Sequence, residues 1–552
     1  MATWFTLGTE LGERMPPSRP AESGSTDVVV IGAGFAGLYM QHRLRAMGLR
    51  SVGIEAAGDV GGTWWWNRYP GARCDIRSLD YSFSFDPDLE QEWDWSEKYA
   101  TQPEILSYVN HVADRFQLRS DIRFSTRMTS ATWDSTDQNW TVETDHGDCW
   151  TSQFLVMAVG ALSAAKNPDI AGIDSFTGQI LHTSQWPHDG VDLTGKRVAV
   201  IGTGSSGVQS IPLIAEQAAQ LTVFQRTPNF AVPARNMPLD AEEVAVLKRR
   251  YREHRAEQRT SFGGVIGPQA EQSAHEVDDG ERLRRFDAIW DEGFLFGFLG
   301  SFNDVMIDPS ANAIVAEYLR DRIRAIVTDP TTAELLCPKT YPVGAKRLCL
   351  DTGYFETFNR SNVTLVDLQS TPITQIVGGG IETTDALHDF DAIVFATGFD
   401  AMTGPLLNPL IVGEQGRTLR EEWAAGPRTY LGISSHGFPN LFMITAPGSP
   451  SVMTNMIVSI EQHVEWATDA IDWMADHHFR SMNADHDSQE AWVAHVNEIA
   501  NFTLFPQGNS WYLGANVPGK PRVFMPYIAG VGPYREICDG VAGDDYRGFT
   551  FR

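Results

Sequence analysis

The chain is predicted to be an α/β protein: two Rossmann-like dinucleotide-binding domains with an inserted helical subdomain. Three observations predict this. A glycine motif, GAGFAG, occupies residues 32–37, a second, GTGSSG, occupies 202–207, and a charged helical stretch without any glycine loop runs from about 239 to 329. A lone GxGxxG arises by chance, so each copy is judged by its flanks.

The first motif follows the apolar run Asp27-Val-Val-Val-Ile31, short enough for a buried parallel strand, and opens an amphipathic helical stretch over 36–47 that stops at Gly48. Gly32, Gly34 and Gly37, with Phe35 and Ala36, would bring backbone amides at a helix N-terminus against a pyrophosphate. The next strand-like run ends on Glu55, 23 positions after Gly32, where a carboxylate accepts from ribose hydroxyls. An acid there marks FAD or NAD.

The second motif follows Arg197-Val-Ala-Val-Ile201 and supplies Thr203, Gly204, Ser205, Ser206 and Gly207 to the phosphate loop. Its helix carries Val208, Ile211 and Ile214 on one face, and the following strand ends on Arg226-Thr227. A guanidinium beside a hydroxyl suits a ribose 2′-phosphate, so this unit is assigned NADP, with NADPH as the working coenzyme.

Composition sets the class around these motifs. At 552 residues the chain has room for about three domains. Hydrophobic content of 42% with 20% charged residues is that of a globular protein. Five cysteines without CxxC or zinc-like spacing point to a reducing compartment and to no metal site. A net charge of −27 disfavours nucleic acid and anionic membranes as partners. The segment up to Thr26 lacks a signal-peptide core, and no apolar run is long enough for a bilayer, so a soluble cytoplasmic protein is expected. The sequence leaves the oligomeric state open, and a monomer is compatible with it.

Organisation along the chain is discontinuous. Residues 1–160 and 391–552 are assigned to the FAD domain, 161–238 and 336–390 to the NADP domain, and 239–335 to the helical insertion. After the first unit comes GGTWWWNRYPGARCD, residues 61–75, in which Gly62, Thr63 and Trp64 are candidates for the flavin side. The run FDAIVFATGFD, 390–400, is expected to return the chain to the first domain, with Thr397 and Gly398 in its turn. Ile457, Ile460, Val464, Ala467, Ile471 and Met474 recur every three or four residues, the pattern of a long helix burying one stripe as core.

The paired glycine motifs, GGTWWWNRYPGARCD, the segment FTGQILHTSQWP at 176–187, Lys346-Arg347 and FATGFD together resemble the type I Baeyer–Villiger monooxygenases. These FAD- and NADPH-dependent enzymes turn ketones into esters or lactones. The resemblance covers nearly the whole chain and is nearest to the phenylacetone and steroid monooxygenase subgroup, through WAAGPRTYLGIS, VSIEQHVEW and SWYLGANVPGKPRVFMPY. It implies that NADPH reduces the flavin, O2 adds to the reduced ring, and the resulting peroxide stays deprotonated to attack the carbonyl and give a tetrahedral adduct.

Arg347 matches the family's catalytic arginine, a cation able to stabilise both anions, and Asp75 matches its acidic partner; both would also border the cofactors. Lys346 would add a second cation at the NADP phosphate, and Trp511 corresponds to a residue near the nicotinamide half. The signature residues Phe176, Gly178, His182 and Trp186 would lie at the link between domains, with a positioning role rather than acid–base chemistry. Ser451, Val452, Met453 and Met456 would line the ketone pocket, in a loop that has Ala446 where relatives commonly have Gly. The resemblance implies a small-molecule ketone and O2 as partners and leaves the particular ketone open. Two alternatives stand beside it: a flavin monooxygenase of amines or sulfides, which would not need Arg347, and a non-enzymatic redox sensor, which would lose the Asp75–Arg347 pair.

Overall fold

The computed structural model describes residues 21–166 and 168–552; most of the segment examined for a signal peptide lies outside them. Its two main sheets are organised around the two glycine motifs. In the first, Ser23–Ile31 is flanked in parallel by Ser51–Ile54 and Cys149–Met157, and Ile122–Arg123 and Leu441–Met443 extend the parallel part. Met128–Asp134 and Asn139–Thr144 form an antiparallel meander leading into Cys149–Met157. The second sheet is parallel throughout, in the order Val363–Asp367, Gln220–Gln225, Arg197–Ile201, Ala392–Phe395, Gln179–His182. Its central strands Arg197–Ile201 and Ala392–Phe395 are buried along nearly their whole length, as in a parallel sheet covered on both faces.

This topology corrects the expected return point. Ala392–Phe395 pairs with Arg197–Ile201 and Gln179–His182, so it is a central strand of the second sheet, and the chain goes back to the first unit only after Gly398. The first helix also differs from expectation. Phe35–Ala46 buries Phe35 through Gln41 without interruption, because it is held between its sheet and the long helix Met456–Asp476, and it is therefore not amphipathic. The long helix buries the predicted stripe, and with it Ser459, Glu461, Gln462, His463 and Thr468, so more than one face is covered.

The insertion consists of Ala241–Arg249, Tyr251–Thr260, Asp279–Glu292, Pro309–Ile326 and Pro330–Leu336, with a break at Arg250. Phe286, Trp290, Phe298 and Leu319 share a core with Val232 and Leu350 of the second unit. Arg255 anchors the insertion to the first unit through Glu90 at 2.8 Å and Ser82 at 2.7 Å.

Both phosphate loops have the same backbone construction. Gly32 has φ +107° and Gly202 φ +113°, and a Cβ at either would lie 2.5 Å or 2.4 Å from the carbonyl oxygen of Ala158 or Ala396, the residue after a neighbouring strand. Only glycine fits such a position. Gly32→Ala is expected to give protein that does not retain FAD, and Gly202→Ala protein that stays yellow while losing NADPH affinity; flavin absorbance and coenzyme titration check this pairing.

A second expectation comes from His463. Its Nδ1 accepts from the Thr445 amide at 3.0 Å, so the proton is on Nε2, which faces the Tyr534 hydroxyl at 2.7 Å. Burial holds the imidazole down to about 3, against an ordinary value of 6.5. Below pH 6.5 the unfolded chain takes a proton that the folded chain refuses, so this stability is present at neutral pH and lost as pH falls toward 3. Urea unfolding between pH 6 and 4 should lose about 1.4 kcal/mol per pH unit less in His463→Gln than in the parent.

Candidate active site

The surroundings of the two loops fit dinucleotides. Glu55, directly after its strand, turns its carboxylate toward the first loop and accepts from the amides of Ala33 at 2.6 Å and Ala57 at 2.7 Å. Burial pushes this carboxyl up and the amide donors pull it back. Gly34 is approached by Gly62, whose Cα would lie 3.3 Å from a Cβ there, whereas a Cβ on Gly204 would meet nothing within 4 Å. The second loop thus opens onto space at the helix N-terminus where a pyrophosphate is favoured. Thr203 ties this loop to Thr227 through its hydroxyl at 3.0 Å. At the end of the strand Ala392–Phe395, the buried Thr397 hydroxyl has no partner within the protein, the state expected of a ligand contact. These features fit the groups assigned to them.

Arg347 and Asp75 come together although they are far apart in sequence. Arg347 precedes the short strand Cys349–Asp351, Asp75 ends the loop 61–75, and Arg347 Nε donates to Asp75 Oδ2 at 3.1 Å. The guanidinium side chain is 23% exposed and the carboxylate 9%. Burial works against the charged guanidinium, but the neighbouring carboxylate outweighs it and holds Arg347 above its ordinary value. Burial also pushes Asp75 up against the pull of Arg347. The direction that governs the pair is the charged one, because neutralising the carboxylate would leave a buried guanidinium without compensation. Tyr512 lies close enough to be influenced by Arg347, yet burial pushes its hydroxyl up to about 12, so it is neutral at working pH.

The pocket residues adjoin this pair. Arg347 Nη1 donates to Val452 O at 2.9 Å. Val452 packs with Ala161, Ala401, Met402 and Phe524, and Met453, Met456 and Trp511 border the same apolar cluster. The loop is strained: Thr445 has φ +55° and Ser451 φ +44°, and the Ser451 hydroxyl spans the bend to Thr445 O at 3.0 Å. Non-glycine residues persist in that region only when their surroundings fix them, and such sites cluster where ligands are held.

Three cations gather at the edge of the second unit. Arg226 is exposed beside Thr227, and Lys346 and Lys166 are both held below the usual lysine value, by burial first and by Arg226 second. Among the described residues none of the three has a carboxylate within 4.0 Å. Lys346 donates to Asn509 O at 3.0 Å and Lys166 to Asn516 O, so they grip both ends of the segment bearing Trp511. Lys166 was passed over in the sequence, since a lone lysine in a loop carries no signal.

The signature residues take up places within the second unit. Gln179–His182 is its edge strand, His182 stacks on Phe395 at 5.1 Å, and burial lowers its imidazole. Phe176 lies in one core cluster of that unit; Trp186 lies in another, which also takes in Tyr69 and Ala72 from the loop of the first unit. A Cβ on Gly178 would strike Asp391 O at 2.6 Å. Trp64 is buried with its indole nitrogen 3.2 Å from the Tyr81 hydroxyl, and the Phe35 ring packs on Phe83 at 5.1 Å, so these two rings serve the core. Gln209, also unremarked in the sequence, donates to Arg73 O at 3.1 Å and reaches Asp75 Oδ1 at 3.4 Å.

Two dinucleotide-binding units facing one guanidinium–carboxylate pair define a flavin- and NADP-dependent oxidoreductase, and a family model for pyridine nucleotide-disulphide oxidoreductases matches residues 29–258. The chain is 43% identical over 523 residues to a Baeyer–Villiger monooxygenase of Pseudooceanicola batsensis, covering 94% of this chain and 95% of the relative. It is 41% identical over 526 residues to a phenazine N-monooxygenase of Lysobacter antibioticus, covering 95% and 96%. A solved structure of oxidized steroid monooxygenase bound to NADP superposes with a TM-score of 0.92 at 54% identity, over 96% of this chain and 99% of that one. The chain belongs to the type I Baeyer–Villiger monooxygenases. Its cofactors are FAD and NADPH, and its reaction is oxygen insertion beside a ketone carbonyl.

The cation cluster leads to a coenzyme test. Arg226→Ala and Lys166→Met are each expected to raise the Michaelis constant for NADPH about tenfold, the size of one charged hydrogen bond, with NADH nearly unaffected. Titration with adenosine 2′,5′-bisphosphate should show the same loss, and equal effects on both coenzymes would remove Lys166 from the phosphate site.

Proposed function

We propose that this monooxygenase acts on apolar ketones, with the Arg347–Asp75 pair as its catalytic centre. The observation that carries this reading is the hydrogen bond from Arg347 Nη1 to Val452 O, which fixes a permanent cation at an apolar wall. FAD, when bound and reduced by NADPH, would supply activated dioxygen for attack on a ketone carbonyl. Attack moves negative charge onto the ketone oxygen. A guanidinium held in a partly dehydrated site stabilises that charge without reorganising, since Asp75 and Val452 already fix its orientation.

Met453 and Met456 supply the part of the wall that adapts to ketones of different outline, because a thioether chain repacks more readily than a branched one. Gly32, Gly34, Gly37 and Glu55 would hold FAD, and Thr397, at a strand end of the second sheet, would face the coenzyme side. Thr203 to Gly207, Arg226, Thr227, Lys346 and Lys166 would hold NADPH, with Trp511 over its nicotinamide half. His182 would keep the edge strand in register with Phe395 rather than move a proton, since burial keeps its ring neutral.

The similarity to a phenazine N-monooxygenase supports a second activity, oxygenation of an aromatic nitrogen. Transfer to a lone pair develops no charge on a carbonyl oxygen, so it would not need Arg347. Arg347→Ala separates the two readings. Ester formation should fall at least about 10²-fold, the usual effect of removing an oxyanion-stabilising donor, while anaerobic flavin reduction by NADPH and any N-oxide formation persist. Ester formation at the parental rate would overturn the role of Arg347.

A further inference from the structure

The two halves of the catalytic pair belong to different parts of the chain, yet Asp75 and the segment that carries Arg347 both touch one helix of the second unit, Ser205–Gln217. Ser205, in its first turn, lies 3.4 Å by its hydroxyl from the sulfur of Cys349, two residues after Arg347. Asn229 continues this contact, donating to Cys349 Sγ at 3.0 Å and to Arg347 O at 3.3 Å. Gln209, four residues after Ser205 and so on the same helical face, serves the other half.

The orientation of the Gln209 amide is fixed by its neighbours. Arg73 O can only accept, and it lies 3.1 Å from Nε2, so the nitrogen must point toward the loop. Tyr69 then donates its hydroxyl to Oε1 at 2.7 Å, and the nitrogen also reaches Asp75 Oδ1 at 3.4 Å. Arg347 occupies the opposite carboxylate oxygen, Oδ2. Tyr69 and Gln209 are buried, and the loop wraps so closely that a Cβ on Gly71, with φ +83°, would sit 2.3 Å from Gln209 O.

We propose that Gln209 is a positioning residue: it holds Asp75 from the coenzyme helix, and through Asp75 it sets the Arg347 guanidinium relative to the bound nicotinamide unit. The inference rests on the catalytic role given above to Arg347 and Asp75. An aspartate tied only to its arginine could turn about its side-chain bonds. The amide supplies the second point that prevents this, and it sits on the helix whose N-terminus takes the coenzyme pyrophosphate. The guanidinium is therefore aligned in the same frame as the hydride donor. Gln209 also donates to the charged carboxylate, so it favours the ionised form of Asp75.

The test uses FAD-loaded, full-length enzyme with Gln209→Met, which keeps the length and removes the amide, and Gln209→Glu, which keeps the Tyr69 contact and sets a second carboxylate against Asp75. Expected for Gln209→Met is anaerobic flavin reduction within about threefold of the parent, with ester formed per NADPH consumed falling about tenfold and hydrogen peroxide replacing it. The acid limb of the ester-formation profile should move to higher pH in Gln209→Met, and further in Gln209→Glu, since each change makes the charged Asp75 less favourable. A purely structural role would not produce that order. Tyr69→Phe, which removes one hydroxyl and frees the amide, should show the same direction with smaller size and covers the case in which Gln209 variants fail to fold.

Unchanged coupling and an unchanged acid limb in folded Gln209→Met would overturn the inference. So would equal losses in flavin reduction and ester formation, which would make Gln209 a coenzyme-binding residue. Arg347→Ala run in parallel separates the levels: if that variant still forms ester, the reading of the catalytic pair fails; if it does not while Gln209→Met behaves as the parent, only the positioning role fails.

Discussion

A guanidinium in a water-poor site is tolerable only beside an anion, and this single requirement organises the centre of the molecule. Arg347 lies at the edge of the second unit, whereas Asp75 arrives on a loop that leaves the first. To bring them to 3.1 Å, residues 61–75 must cross to the second unit and lie against its coenzyme helix. The crossing has no room for a side chain at Gly71, and Tyr69 and Ala72 enter a core otherwise made by the second unit. The interface between the nucleotide domains thus joins this ion pair to the apolar burial of Tyr69 and Ala72.

Charge elsewhere follows a related logic. A chain of net charge −27 repels anionic ligands at long range, so a coenzyme carrying several phosphates needs local compensation. The second unit would supply it through Arg226, Lys346 and Lys166, the two lysines being held below their usual value by burial and by Arg226. The first unit instead presents Glu55 at the equivalent strand end, suited to hydroxyls and hostile to a ribose phosphate. A few side chains at one strand terminus each would thereby make the two similar folds selective for different dinucleotides.

Much of this was legible in the sequence because backbone geometry restricts residue choice. A loop needing φ above +100° beside a neighbouring carbonyl accepts only glycine, so both strand–loop–helix units announce themselves. The Arg347 and Asp75 contact was legible only through family resemblance, since nothing local in either segment encodes a partner more than two hundred residues away. Sheet membership of Ala392–Phe395 was misread because a strand buried on both faces is apolar throughout and carries no mark of which sheet it joins. The unbroken burial of Phe35 through Gln41 was hidden as well, because the polar Gln41 lies inside while only the end of the helix, Arg45 and Ala46, is exposed. Gln209 and Lys166 gave no signal, because their significance comes from what tertiary structure places opposite them.

The pocket loop shows how these constraints meet. Thr445 and Ser451 adopt left-handed backbone conformations that cost free energy, on the order of 1–3 kcal/mol each, and must be held there. His463 holds one end by accepting the Thr445 amide from the buried long helix, and the Ser451 hydroxyl closes the bend onto Thr445 O. Arg347 holds the other side through Val452 O. The cation that would stabilise charge on the ketone oxygen is therefore also a strut of the wall against which the ketone would rest. A shift in the guanidinium must move the wall, and a change in the wall must move the charge, so substrate shape and transition-state stabilisation cannot be tuned independently in this fold.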